Sequence, residues 1–559
     1  MKKFIAAVEV NPKWPADALA AWALASIGVC TAFYAAISLT LPFGWDHNII
    51  ASVGSSYVNG GLPFVDSWDI KGPAAYLPFA LTQFLFGSTM WGVRLLDLLI
   101  WAVAGIALHR GVSKLTTWRI GVGVALATYL WIASAGWFFT AAPESWVTAS
   151  CILAIVPLLS PNTNLKPTLL AFSGFLISFA GLVKPFYFAF GLAPLTALVL
   201  LSELSLPHRA KLALALAGGA ALPLALIGGY FAIRGGLSQA VEAHMLYPLS
   251  TYVDVTSGWS TTIHGVVAFL KEPAIFIVAP FVLVAIWLYR SQLRILAIPL
   301  VWLSVALICV AVQGKYWVYH WFPVYPPLFI LGALGAFALA GPERRPAAVS
   351  LIVVLCSTLM FAAVVKHPLS DVAKFAYYCG LKRDLQGYYA SFNFRLYNAA
   401  DEIAAARYIA AHTTSQQGVF IWGSDALYYL ANRPNPSRFT FVMPLTLPGP
   451  YRAAYRAEAI SELMAHPPTY FVTGIAWDGL SKAEAAMTDF TAMANFLSQN
   501  YTLEKSIGVL DLYRRRDNIG GAESDALSQT VGANPGVSNA RRPTRIQSNL
   551  YVSDWCDTV

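Results

Sequence analysis

Long uncharged apolar runs constrain this chain more than any other feature. They fall at 18–40, 90–108, 119–139, 146–160, 167–183, 186–202, 211–233, 274–289, 295–312, 322–340 and 347–365. Each comes near the ~20 residues that carry a helix across ~30 Å of hydrocarbon. The runs predict an α-helical polytopic membrane protein with about eleven transmembrane helices. A further run at 74–87 is shorter and is expected to be interfacial or re-entrant. Composition agrees: 12% of the 559 residues are charged and the mean hydropathy is +0.57, against about 25% charged in a soluble domain. The formal net charge of +8 does not point to nucleic acid, because the basic residues lie mostly in short loops and no Lys/Arg run alternates with aromatics. The first run exceeds the roughly 7–15 apolar residues of a signal-peptide core, so a retained first helix is expected.

Loop charges give the orientation. Alternate loops carry Lys2, Lys3 and Lys13; Arg110, Lys114 and Arg119; Lys166; Arg209 and Lys211; Arg290 and Arg294; Arg344 and Arg345. The other loops carry only Lys71, Lys184, Arg234, Lys271 and Lys315. The first set is therefore expected on the cytoplasmic side, with the N-terminus. Eleven crossings then put the C-terminal part outside. The chain divides into a membrane domain at 1–368, an extracytoplasmic α/β module at 369–516, and a Gly-, Ser-, Asn- and Pro-rich tail at 517–559 that reads as disordered. Within the module, "NAADEIAAARYIAAHT" and "SDALYYLANRP" read as helices. "GVFIWG", "TYFVTG" and "SIGVLDLYRRR" read as strands. Cys30, Cys151, Cys309 and Cys356 sit in apolar runs as small core residues; Cys379 and Cys556 are the pair open to a disulfide. There is no zinc-type Cys/His spacing and no internal repeat.

Ionisable groups gather on the expected outer face. The stretch 41–73 holds Asp46, His47, Asp66, Asp69 and Lys71. Glu144 in "TAAPESW", Lys184 in "GLVKPFY", and Lys315 and His320 in "GKYWVYHW" stand at outer helix ends. A charge in a wet loop needs no explanation, and this bland reading stands beside the functional one for Lys315. It fits Asp46 less well, crowded as it is by Gly44, Trp45 and His47. Asp66 and Asp69 also read as turn residues. Asp97 reads as paired within the bundle, Arg94 as an anchor at a helix end, and His244 and His264 as surface residues of the long outer loop. Together, a carboxylate and several cations suit a reaction in which lysines hold a phosphate and the carboxylate accepts a proton from an attacking hydroxyl.

These residues carry a resemblance. "GWDHNIIASVGSSYVNGGLPFVDSWDIKGPAAYLPFALTQFLFGSTMWGVRLLDLL", "APES", "VKPF" and "GKYWVYHWFPVYPPLFIL" resemble the outer-loop motifs of GT-C fold glycosyltransferases that use polyprenyl-phosphate sugars. The bacterial aminoarabinose and galacturonic acid transferases are the nearest branch and protein O-mannosyltransferases a distant one. The motifs span roughly the first 340 residues, and "VFIWGSDALYYLANRPNPSRF" resembles part of the family's C-terminal module. The resemblance implies that Asp46 is the general base or orients the acceptor. It implies that Lys71, with Lys184, Lys315 and His320, binds the donor phosphate, and that His47, Glu144 and Asp69 position the acceptor or a cation. His47 stands where the family often has Glu, and Trp321 where it has Tyr. A divalent cation is the one cofactor left open, with no metal ligand assigned. The implied partners are a polyprenyl-phosphate sugar and a cell-envelope glycolipid or glycan, such as lipid A, at the outer face of a bacterial inner membrane with the C-terminal module periplasmic. The implied reaction is an inverting displacement.

Three rivals stand beside this reading. An O-antigen-type polymerase or ligase would also be polytopic, but such proteins usually rest on Arg/His chemistry in large outer loops. A transporter would want mid-membrane charges and two similar halves. A scaffold that keeps the fold without activity would be unaffected by Asp46→Asn. Substrate choice is expected to reside in the 234–273 loop and the C-terminal module.

Overall fold

The computed structural model describes residues 15–159, 165–200, 204–252, 259–340, 345–423, 427–476 and 479–516. Cys556 and the 517–559 tail lie outside these residues. All eleven apolar runs are helical over most of their length. Among the described residues, five helices are long and apolar enough to cross a membrane: Ala18–Ser38, Met90–Leu115, Leu206–Ile233, Ile295–Gln313 and Val318–Leu339. A sixth crossing is available if Thr262–Leu270 and Pro273–Leu288, bent by 75° at their junction, count as one. Shorter apolar helices take up the other runs, among them Trp118–Ala133, Pro143–Leu159, Pro167–Val183 and Pro185–Leu200. The chain is thus a multi-pass membrane protein, with several runs broken earlier than expected. The run at 119–139 stops at Ala133 and turns, and the run at 186–202 begins as the 3-10 helix Pro185–Gly191.

The chain forms two compact units. The first comprises Met1–Phe43, Ile70–Pro78 and Met90–Lys382. Its helices approach closely where side chains are small. A Cβ on Gly174 would lie 2.1 Å from the Leu216 carbonyl oxygen, and one on Gly219 would lie 1.9 Å from that of Ala171. Helices Pro167–Val183 and Leu206–Ile233 therefore meet almost backbone to backbone, as small residues allow in lipid. Arg94, 2% exposed, donates to the carbonyls of Leu41 (2.9 Å), Pro42 (2.5 Å) and Trp137 (3.1 Å) and to the Thr140 hydroxyl (3.2 Å). It closes the ends of three chain segments, the anchoring role its position suggests. The 234–273 segment, expected as a long loop, is largely helical: Leu237–Val241, wide π turns at Glu242–Leu246 and Pro248–Tyr252, and Trp259–Leu270.

The second unit comprises Gly44–Asp69, Phe79–Thr89 and the chain from Arg383. A small hairpin pairs β1 (Asn393–Phe394) with β2 (Tyr397–Asn398). The main sheet has β3 (Val419–Trp422), β4 (Tyr470–Thr473), β5 (Tyr501–Ile507) and β6 (Leu510–Arg515) in the order β3-β4-β6-β5. β3 and β4 are parallel and buried throughout; β6 is antiparallel to both its neighbours. The expected strand in "SIGVLDLYRRR" is in fact a hairpin, turning at Gly508 with φ +57° between paired Ile507 and Leu510. Helix Ala399–Ala411 starts where expected, because Asn398 accepts from the amides of Ala400 and Asp401. Of the helix expected at "SDALYYLANRP", the described part is Tyr428–Ala431.

The stretch after the first helix belongs to this second core. Trp45 packs edge-on to Phe394 and Tyr397, and Asn48 donates to the Tyr397 hydroxyl at 3.2 Å. Trp68, fully buried, lies among Phe439, Phe441 and Tyr455, and its amide donates to the Arg438 carbonyl. The aromatic residues of 44–69 thus fill a core, and only some of its ionisable groups reach solvent.

Candidate functional site

In the first unit, three element ends converge on a buried ion pair, and local sequence fixes each end. Pro143 occupies the first position of helix Pro143–Ile155, where its missing N–H costs nothing. That places Glu144 in the first turn, where the helix dipole favours a carboxylate. Trp101 donates to the Ser145 hydroxyl at 2.7 Å, and Ser145 donates to Asp97 at 2.8 Å. This chain pins the turn and gives Asp97 the partner its membrane depth requires. Lys184 ends helix Pro167–Val183, because the residue before a proline is pushed out of the helical region; its φ is −148° and its ψ 130°. Gln313 ends helix Leu293–Gln313, where Gly314 takes the left-handed cap with φ +63°.

Glu144 is 1% exposed. It pairs with the Lys184 ammonium, which also donates to Gln313 Oε1 at 2.7 Å and lies 5.8 Å from the Tyr319 ring centroid. Gln313 in turn donates to the Cys309 carbonyl at 3.1 Å and to the Tyr187 hydroxyl at 3.5 Å. A buried pair pays heavily for desolvation and survives only when its remaining valences are met; Gln313 and the two helix ends meet them. Lys315 donates to the Tyr252 carbonyl at 2.8 Å and sits 4.2 Å from that ring's centroid. Burial pulls its ammonium pKa down to about 8. His320, 3% exposed, lies within electrostatic reach of Lys184 and Lys315, and its Nδ1 has no hydrogen-bond partner among the described residues. Lys71 joins this group through the backbone: the Gly72 amide donates to the Val183 carbonyl at 2.9 Å, one residue from Lys184. Glu144, Lys184 and Lys315 together carry one more positive charge than negative, which suits a phosphate.

No family model matches the chain, and no curated protein does. Among solved structures it is similar to ArnT from Cupriavidus metallidurans in the apo state. The two are 12% identical, with 89% of this chain and 98% of that one covered and a TM-score of 0.55. ArnT bound to undecaprenyl phosphate gives 13% identity, 90% and 99% coverage, and a TM-score of 0.53. The chain has the GT-C fold. At such low identity the likeness is one of fold, running nearly end to end on both chains.

Within this GT-C fold, Lys71, Glu144, Lys184, Lys315 and His320 belong to the first unit, and Asp46, His47 and Asp69 to the second. Asp46 stands in the first turn of helix Trp45–Val58 and keeps partial exposure. His47, 2% exposed, turns back on its own helix start: the Gly44 amide donates to its Nδ1 at 3.1 Å. Its imidazole therefore does the capping that a Glu side chain would do at that position. Asp66 is the turn residue its sequence suggests, accepting from the Leu62 amide at 2.5 Å. Asp69 is 0% exposed and lies beyond the turn at 64–66, so the turn reading holds for Asp66 and not for Asp69. His264 is exposed, as expected, whereas His244 is only partly so and contacts the Ile70 carbonyl. Among the described residues no three His, Cys, Asp or Glu side chains come together to hold a metal ion. Sequence reading missed Gln313 and Tyr187. Gln313 directly precedes "GKYWVYHW" and Tyr187 is the last residue of "GLVKPFY"; Gln313 is a polar residue closing a long apolar run, which was the signal available.

Proposed function

We propose that the chain is a membrane glycosyltransferase that moves a sugar from a polyprenyl-phosphate donor to an acceptor hydroxyl of a cell-envelope glycolipid or glycan. The observation that carries this is the near end-to-end fold likeness to a protein whose solved structure holds undecaprenyl phosphate. The surplus of positive charge at Lys184 and Lys315 over Glu144 supports it, since a phosphate leaving group needs such compensation. The loop charges support an inner-membrane location in which the loops poor in Lys and Arg, those that carry Lys71, Lys184 and Lys315, face the periplasm.

In this reading the acceptor oxygen attacks the anomeric carbon and the bond from that carbon to the phosphate oxygen breaks. The configuration inverts. The hydroxyl proton passes to Asp46, and the electron pair leaves with the polyprenyl phosphate. Lys71 and Lys315 hold the departing charge. The Glu144–Lys184 pair is close to neutral as a unit, so its part is to offer fixed donors and acceptors to the sugar or phosphate. His320 offers a buried ring nitrogen beside them. His47 acts by capping the helix start that carries Asp46.

The test is release of polyprenyl phosphate by purified protein from a panel of radiolabelled polyprenyl-phosphate sugars, with total membrane glycolipid as acceptor. Transfer that disappears in Asp46→Asn supports the reading. Equal transfer by that variant removes Asp46 as base, and inertness toward every donor removes the reading itself.

A further inference from the structure

The residues around Lys71 are held by three contacts, each from a different part of the first unit. The Tyr76 hydroxyl donates to the Lys71 carbonyl at 2.6 Å. The Gly72 amide donates to the Val183 carbonyl at 2.9 Å. His244 Nδ1 lies 3.3 Å from the Ile70 carbonyl oxygen. Gly72 is squeezed between the second and third of these. A Cβ there would lie 2.0 Å from the Leu182 carbonyl oxygen and 2.6 Å from His244 Cε1. The gap between a helix end and an imidazole ring is therefore as wide as a glycine backbone and no wider.

From this we infer that His244 is a positioning residue for Lys71: its ring bonds the Ile70 carbonyl and walls in Gly72, fixing the segment from which the Lys71 side chain projects. The inference rests on the proposed function for what Lys71 binds. His244 comes from the π turn Glu242–Leu246, which sets it some 170 residues away in sequence from the segment it holds. A carbonyl only accepts, so Nδ1 must carry the hydrogen. Burial pushes the His244 pKa down to about 4, so near neutral pH the ring is uncharged and the bond is made by the Nδ1–H tautomer. An uncharged ring also adds no cation beside Lys71. Because Gly72 is bonded to Val183, the same clamp sets the spacing between Lys71 and Lys184. Two donors aimed at one anion need that spacing fixed before the anion arrives.

The experiment uses full-length protein in lipid nanodiscs and undecaprenyl phosphate as probe. Lys71→Ala is expected to weaken binding at least tenfold, and His244→Ala about fivefold. His244→Asn, whose amide can still donate to Ile70, should recover most of the loss. In the Lys71→Ala background, His244→Ala should change binding less than twofold, because there is no longer a lysine to position. A general packing defect would instead weaken both backgrounds alike, and that result, or wild-type binding by His244→Ala, overturns the inference. Hydrogen exchange of the 68–76 segment without lipid gives a second reading. Faster exchange of the Gly72 amide in His244→Ala supports the clamp, and unchanged exchange overturns it. If wild-type protein does not bind undecaprenyl phosphate, the proposed function fails, and the exchange measurement still decides whether His244 holds the segment.

Discussion

Asp46 and Glu144 occupy the same local position. Each lies in the first turn of a helix, behind an extended residue, Gly44 at φ −91° and Ala142 at φ −86°. Local sequence gives both the favour of a helix N-terminus. Their surroundings then diverge. Glu144 is buried against Lys184, which Gln313 supports from another helix end. Asp46 keeps access to solvent, and its helix start is closed by the neighbouring His47. A carboxylate locked to a lysine is a poor proton acceptor, because giving up its charge would strand the cation. A carboxylate with access to solvent can exchange its proton between turnovers. On the proposed function, this contrast favours structure and recognition for Glu144 and proton transfer for Asp46.

Four measurements can break or sharpen that contrast, and the largest effect is expected at Asp46. Asp46→Asn should lower transfer by about a hundred- to ten-thousand-fold, the usual span for a general base, while thermal unfolding stays unchanged. Unfolding of this variant would mean that Asp46 is structural after all. Glu144→Ala should do the reverse and act first on stability. It leaves a buried lysine unpaired, a loss of about 3–5 kcal/mol, read by denaturant titration in detergent. Glu144→Gln should lose less, because the amide oxygen still accepts from Lys184.

Lys315 supplies a pH test. With its pKa near 8, it is protonated at pH 7 and loses its charge as the pH rises. Undecaprenyl phosphate binding should therefore fall above pH 8, by up to about tenfold per unit, and Lys315→Arg should flatten that fall. Stability runs the other way. Between pH 8 and the ordinary lysine value of 10.5, the unfolded chain holds more protons than the folded one, so folding gains as the pH climbs. The smallest effect is expected for His47→Ala, which removes a cap worth about 1 kcal/mol. It should leave Asp46 in place but less firmly held, seen as a modest fall in turnover with little change in melting temperature.

Much of this protein was legible in its sequence because lipid leaves a chain few choices. Apolar runs of ~20 residues must be helices whatever surrounds them, and the "APES", "VKP" and "QG" sequences mark where three of them begin or end. The ion pair between those ends was not legible. Lys184 and Glu144 are 40 residues apart and Gln313 a further 129 from Lys184, and no local rule links positions so distant. The packing of the stretch 44–69 was not legible for the same reason: Trp45 and Trp68 pack against Phe394, Tyr397 and Phe439, far along the chain. The sequence by itself determined which apolar runs are helical, the ends marked by proline or glycine such as those at Pro143, Lys184 and Gly314, and the residue types able to hold a phosphate. Only the tertiary structure decided which acid is locked to a lysine, which keeps partial exposure, and that a histidine from a distant turn bonds the backbone of the segment carrying Lys71. Helix ends are set by backbone sterics within a few residues, whereas pairing and burial are set by packing between segments that meet only after folding.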